Sequence, residues 1–308
     1  MIKILIIAVS LISGGAGPVV TPLPVPSATP FSLPPGRQAK GFIRYIPDKQ
    51  GDMTWELQGD FARLISPTRT EITGLTAISH DRKVGDLKIT VAKFLYDSKA
   101  REGRAGKERV TVRRGKMILT GKGLRWWADQ KYLRILEDVK LLVNEKDQGG
   151  LFPFDLPTIA PGPAEGQPAA TPAGDWTVIT CDGNLFMNYL KNTITFYRNV
   201  LVKNPQGKLR ADQMIVFVSP SDKKIAKVEA FGNIDIKMGE RRGSSDKVLY
   251  LPEEKKVILL GNARIMDEKN QVSGEMITFY IDRKEMEVSS VSDIKLIPED
   301  DMGGDLFE

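Results

Sequence analysis

A unit of about thirty residues recurs along this chain, and it restricts the fold more than any other feature. Each copy has a small or β-branched residue, two intervening positions, then apolar–x–apolar. The copies are Val91…Phe94-x-Tyr96, Gly121…Leu124-x-Trp126, Ala211…Met214-x-Val216, Ser245…Val248-x-Tyr250 and Gly274…Ile277-x-Phe279. A looser copy, Cys181…Leu185-x-Met187, is one residue longer at Gly183. The small positions lie 30, 60, 30, 34 and 29 residues apart, and the interval of 60 contains a proline-rich insert of 28 residues, 147–174. Without the insert 32 residues remain, and the period runs through both halves.

Between these units the chain alternates on a two-residue period, as in Lys88-Ile89-Thr90-Val91, Val110-Thr111-Val112 and Thr193-Ile194-Thr195-Phe196-Tyr197. Such β-branched and aromatic runs, bounded by Gly, Asn and Asp, predict short strands and an all-β fold. A second signature follows each unit. It reads Glu137-Asp138-Val139-Lys140-Leu141, Arg198-Asn199-Val200-Leu201-Val202, Gly232-Asn233-Ile234-Asp235-Ile236 and Gly261-Asn262-Ala263-Arg264-Ile265. Asn, Asp and Gly tolerate the left-handed backbone of a turn or bulge. In the first signature the apolar positions change parity between the small residue and the apolar pair, so a bulge belongs there. Bulges repeated at one phase bend a sheet at the same place in every strand. The fold this predicts is a rolled antiparallel sheet, or β-jelly roll, in two halves of repeated strand pairs.

The inside of such a roll is predicted to be lined by Phe94, Tyr96, Leu124, Trp126, Leu185, Met187, Phe196, Met214, Val216, Val248, Tyr250, Ile277 and Phe279. Two uses fit that lining: an ordinary packed core, or a groove that admits acyl chains. Trp126 and Trp127 are adjacent, so on a strand one of the two indoles faces outward.

Composition narrows the chemistry. One histidine (His80) and one cysteine (Cys181) leave too few ligands for a zinc site, and Cys181 has no partner for an internal disulfide. His80, between loop-type neighbours, is expected to be exposed, and Cys181, at a small-residue position, to be a buried small hydrophobe. The carboxylates Asp182, Asp212, Asp246 and Glu275 recur one per unit just after the small position. That spacing suits turn or solvent-face chemistry rather than one acid pair. No enzyme, metal or cofactor is expected. Residues 37–146 carry 24 Lys/Arg against 14 Asp/Glu, whereas residues 175–308 carry 19 against 22. The basic run Arg109, Arg113, Arg114 and Lys116 is a candidate contact for anionic head groups, against the plainer reading of a solvated sheet face.

Residues 1–17 open with Met1-Ile2-Lys3, an apolar run from Ile4 to Ile12, and small residues, as in a secretory signal or a short anchor. The apolar run is shorter than the ~18 residues a spanning helix needs. The predicted organisation is signal 1–17, proline-rich linker 18–40, β domain 41–146, Pro/Gly/Ala-rich linker 147–174, β domain 175–298 and acidic tail 299–308. Export also argues against nucleic acid as the anionic partner.

From Ile179-Thr180-Cys181-Asp182-Gly183 to Met286-Glu287-Val288 the chain resembles the OstA-like domain of the LptA family of lipopolysaccharide-export proteins. The resemblance is carried by Phe196-Tyr197-Arg198-Asn199-Val200, Leu209-Arg210-Ala211-Asp212, Glu229-Ala230-Phe231-Gly232-Asn233-Ile234 and Leu260-Gly261-Asn262-Ala263. The first half is more distantly similar to the LptC family, through Trp55-Glu56-Leu57-Gln58-Gly59, Ala62 and Leu119-Thr120-Gly121-Lys122-Gly123-Leu124-Arg125-Trp126. This likeness implies an OstA-type β-jelly roll without catalysis, a groove for the acyl chains of lipopolysaccharide or a related glycolipid, and a periplasmic location. An N-terminus retained as an anchor would add inner-membrane association. The implied partners are the inner-membrane export transporter, components of the outer-membrane translocon, and further copies joined head to tail through edge strands. The reading from another class is an envelope β-repeat scaffold with a dry core and no lipid cargo.

Overall fold

A computed structural model describes residues 38–47, 53–80, 87–144, 176–267 and 270–295. The signal segment, the 147–174 linker and the acidic tail lie outside the described residues. So does the first linker, except for its last three residues, which open the first strand.

Sixteen strands form one antiparallel sheet. They are β1 (Gln38–Pro47), β2 (Met53–Ser66), β3 (Arg69–Ser79), β4 (Leu87–Asp97), β5 (Glu102–Arg114), β6 (Met117–Trp127), β7 (Tyr132–Asn144) and β8 (Trp176–Cys181). There follow β9 (Leu185–Asn188), β10 (Thr193–Asn204), β11 (Gly207–Val218), β12 (Ile225–Met238), β13 (Arg241–Leu251), β14 (Lys256–Met266), β15 (Gln271–Tyr280) and β16 (Glu285–Lys295). Each strand pairs with its neighbours in sequence, except that β8 and β9 together fill the one place between β7 and β10. Here lies the looser copy of the repeat. The extra residue at Gly183 keeps Cys181, Leu185 and Met187 on one parity, and the strand breaks in two instead of bulging.

Elsewhere the parity change is a ladder shift. In β4 the buried positions are Leu87, Ile89 and Val91, then Phe94 and Tyr96. The register shifts between Val91 and Leu95, Arg210 and Gln213, and Ser244 and Lys247. The second signature supplies the partner half of each bend. Asp138, Asn199, Asn233 and Asn262 have φ of 52°, 48°, 46° and 48°. The left-handed residues foreseen from the Asn/Asp/Gly pattern therefore sit at mid-strand, where the sheet turns its corner.

Contacts between strands far apart in the ladder show that the sheet closes over itself. In a flat sheet β2 and β6 would lie roughly 19 Å apart, at about 4.8 Å per strand. Instead the Trp55 ring of β2 lies 5.0 Å from Trp126 of β6 and 5.7 Å from Tyr189. Arg44 of β1 lies over the Tyr96 ring of β4 at 5.4 Å, and Arg114 of β5 hydrogen-bonds Asn192 at the start of β10. The start of one strand thus faces the end of another several places along. One apolar cluster, from Phe42 on β1 to Phe279 on β15, fills the space enclosed.

The strands on either side of the 147–174 insert pair directly, from Val139↔Cys181 to Asn144↔Trp176. The two halves of the repeat are consequently parts of one continuous sheet.

Candidate functional site

The inner face of the roll collects every lining residue expected from the repeat. Phe94 and Tyr96 come from β4, Leu124 and Trp126 from β6, and Leu185 and Met187 from β9. Phe196 comes from β10, Met214 and Val216 from β11, Val248 and Tyr250 from β13, and Ile277 and Phe279 from β15. All thirteen are buried in the single cluster. They make one wall: Phe94 and Tyr96 each lie 6.2 Å from Trp126, and Phe196 is registered opposite both Leu185 and Met214. Of the tryptophan pair, Trp126 is the inner one and donates its indole N–H to the Tyr189 hydroxyl at 3.3 Å. Trp127 faces outward and stacks on Tyr132 at 4.5 Å.

The facing wall escaped the list of candidates. It comprises the apolar–x–apolar steps of the second signature, including Val139, Leu141, Val200, Val202, Ile234, Ile236 and Ile265, together with Leu87, Ile89, Val110, Val112 and Leu119. The signal for it was present, because these steps alternate just as the first wall does. The second wall is mainly aliphatic, with Trp55, Met117, Met238 and the buried Arg114 also on it.

At the β1 end the interior is covered: Ile46 and Phe42 are buried, and the Arg44 guanidinium lies over Tyr96. At the other end it is bare. Val291 and Ile294 of β16 are registered opposite the inner positions Gly274 and Val272, so they face inward, yet they are 51% and 53% exposed. Among the described residues the apolar lining thus runs out onto an edge strand that no further strand covers.

The basic run does not form one cluster. Arg109, Arg113 and Lys116 are exposed, and Arg114 is buried on the inner face. Between Ala105↔Leu124 and Arg109↔Lys122, β5 has two residues more than β6, and its buried positions pass from Gly103 and Ala105 to Val110 and Val112. Burial lowers the Arg114 pKa and raises those of Tyr96 and Cys181. His80 is exposed and 2.9 Å from a Glu56 carboxylate oxygen.

The recurring acids belong to the bends. Asp182, Asp212 and Asp246 accept hydrogen bonds from the amides of Asn199, Asn233 and Asn262 at 2.8, 2.7 and 2.9 Å. Each acid therefore pins the left-handed residue of the next strand. Asp60 lies beside Gly74 (φ 66°) in the first half, as Asp212 and Asp246 lie beside Gly232 and Gly261.

The structure defines an all-β class: a rolled antiparallel repeat sheet with an apolar interior and, among the described residues, two edge strands, β1 and β16. Residues 181–285 match the model of the family described as LptA/(LptD N-terminal domain) LPS transport protein. The segment matched is the one whose residues resemble the OstA-like domain. A similar solved structure is the crystal structure of LptH, the LptA homologous periplasmic component of the conserved lipopolysaccharide transport device from Pseudomonas aeruginosa. It is 14% identical, with a TM-score of 0.35 over 40% of this chain and 95% of that one. No curated protein matches the chain.

Proposed function

We propose that this protein is a periplasmic component of lipopolysaccharide transport that holds acyl chains in the interior of its roll and joins neighbouring components through its edge strands. The observation that carries the reading is the run of apolar lining from the buried wall to the exposed inward-facing Val291 and Ile294 on the unpaired edge β16. A self-contained domain covers its core at both ends. A rung of a bridge leaves it open to the next rung, and unpaired edge strands offer main-chain hydrogen bonds for the join. The match of residues 181–285 to a lipopolysaccharide-transport family supports the same reading. Further copies of this chain, the inner-membrane transporter and the outer-membrane translocon are the corresponding neighbours. Residues 1–17 supply the export signal, and the chain acts by binding, without catalysis.

Photo-crosslinking amino acids at Met187, Met214 and Val248 test the interior. Purified protein charged with lipopolysaccharide is expected to yield lipid adducts at all three, and outward controls at Lys203 and Lys237 none. Absence of adducts at the three inner sites overturns the reading. The second reading, a dry scaffold, is favoured by the close ring cluster of Trp55, Trp126 and Tyr189. In that case Met214→Gln unfolds the protein with no separate effect on lipid capture.

A further inference from the structure

Among the buried polar and charged residues, Arg114 is the one that carries a charge. It is 2% exposed, at the end of β5, on the inner face, registered between Leu87 of β4 and Met117 of β6. One guanidinium nitrogen, Nη2, donates to the side-chain oxygen of Asn192. The other two, Nε and Nη1, are buried and have no hydrogen-bond partner. A guanidinium stays protonated in proteins, and a buried charge without a counter-charge is strongly unfavourable. No acidic side chain among the described residues answers it. The other three members of the basic run face solvent, where a cation is held at no such cost.

We propose that Arg114 is the interior anchor for the anionic head group, a phosphate monoester, of an amphiphile whose hydrocarbon lies along the apolar walls. The proposal rests on the reading of the interior as a lipid site and adds to it the charge of the ligand and the residue that recognises it. Nε and Nη1 point to different edges of the planar group, and the second N–H of Nη2 completes with one of them a fork that matches two oxygens of a phosphate, the pairing for which arginine is best shaped. Asn192 holds the third nitrogen and so fixes the plane of the group. Burial, which lowers the pKa of Arg114, is the same desolvation that makes its pairing with an anion strong once formed.

The test uses the full chain, stripped of lipid, and follows the fluorescence of the buried Trp55 and Trp126. The probes are phosphatidic acid and diacylglycerol of equal acyl length in neutral micelles, and inorganic phosphate alone. Wild type is expected to prefer phosphatidic acid by about tenfold or more, the value of a charge-assisted hydrogen-bonded pair. Arg114→Met, close in length and uncharged, is expected to abolish that preference and leave diacylglycerol binding within about twofold. Its ligand-free melting temperature is expected to be unchanged or higher, because an unpaired buried charge is gone. A merely structural arginine would give a lower melting temperature and an equal loss for both lipids, and that result overturns the proposal. So does a preference that survives in Arg114→Met. Inorganic phosphate that competes as well as phosphatidic acid overturns the lipid as the source of the anion. If wild type binds both lipids equally, this inference fails and the lipid reading stands; if it binds neither, the lipid reading itself fails. Should Arg114→Met not fold, Arg114→Lys keeps the charge and loses the planar fork. Its preference is expected to fall several-fold, and an undiminished preference overturns the proposal.

Discussion

Gly261 and Gly115 share a backbone region and differ in surroundings, and the difference separates strain from crowding. Both have positive φ, 72° and 55°. A methyl group on Gly261 would come within 2.6 Å of the Asp246 carboxylate, whereas one on Gly115 meets nothing within 4 Å. Gly261→Ala therefore incurs the left-handed penalty and displaces the acid that holds Asn262, for about 2 kcal/mol or more. Gly115→Asn, a residue that tolerates this backbone, is expected to cost under about 0.5 kcal/mol. Thermal unfolding of the two variants against wild type checks the order. The Asn residues of the bends were legible because their type carries the backbone preference. Arg198, with φ of 65°, was not, since nothing about an arginine announces a left-handed position. The inward facing of Arg114 could have been found, because it continues the two-residue alternation of the buried Val110 and Val112.

At the scale of the strand, long-range register in the first half is held partly by charge. Glu71 of β3 binds Lys93 of β4 at 3.0 Å and Arg63 of β2 at 2.9 Å. The Lys93 hydrogen bond first, and then the charges of Lys93 and Arg63, hold the Glu71 carboxyl below its ordinary pKa. A depressed carboxylate contributes stability that is present above its unfolded-state pKa and is lost as pH falls through the folded value. Glu71→Gln is accordingly expected to lower stability at neutral pH by under about 1 kcal/mol, as befits a solvent-facing pair. The difference from wild type should vanish below the folded-state pKa. Denaturant melts of both proteins between neutral and strongly acid pH measure it; a difference that persists at the acid end would mean lost packing. Of these strands the repeat marked β4 alone, since its first copy begins at Val91. It could not predict that β8 and β9 share one ladder position, because that depends on what β7 and β10 leave open between them.

For the molecule as a whole, two features of the sheet have separate consequences. The first is its continuity across the proline-rich insert. Two proline-rich segments suggest two tethered domains, yet β7 pairs with both β8 and β9, and Trp126 hydrogen-bonds Tyr189 across the same junction. Cleaving a protease site placed within residues 147–174 is therefore expected to leave two fragments that co-elute in gel filtration and separate only in denaturant. Fragments that part without denaturant would show the junction to be weak. The second feature is the pair of free edges, β1 and β16, at opposite ends of the strand order. Beside the β1 edge stand Ile43 and Tyr45, 57% and 48% exposed, and β16 offers Val291 and Ile294. Soluble proteins usually guard such edges with charge or proline, and apolar edge residues favour pairing with another strand. If β16 of one copy meets β1 of the next, Val291 and Ile294 become buried in the join. Val291→Lys with Ile294→Lys places two charges where the join would bury them, and leaves untouched every side chain of the enclosed cluster. The expected result is an unchanged melting temperature together with loss of concentration-dependent assembly in sedimentation velocity. Assembly undiminished in the double variant would assign the join to another surface and leave the bare end of the lining without a partner of this kind.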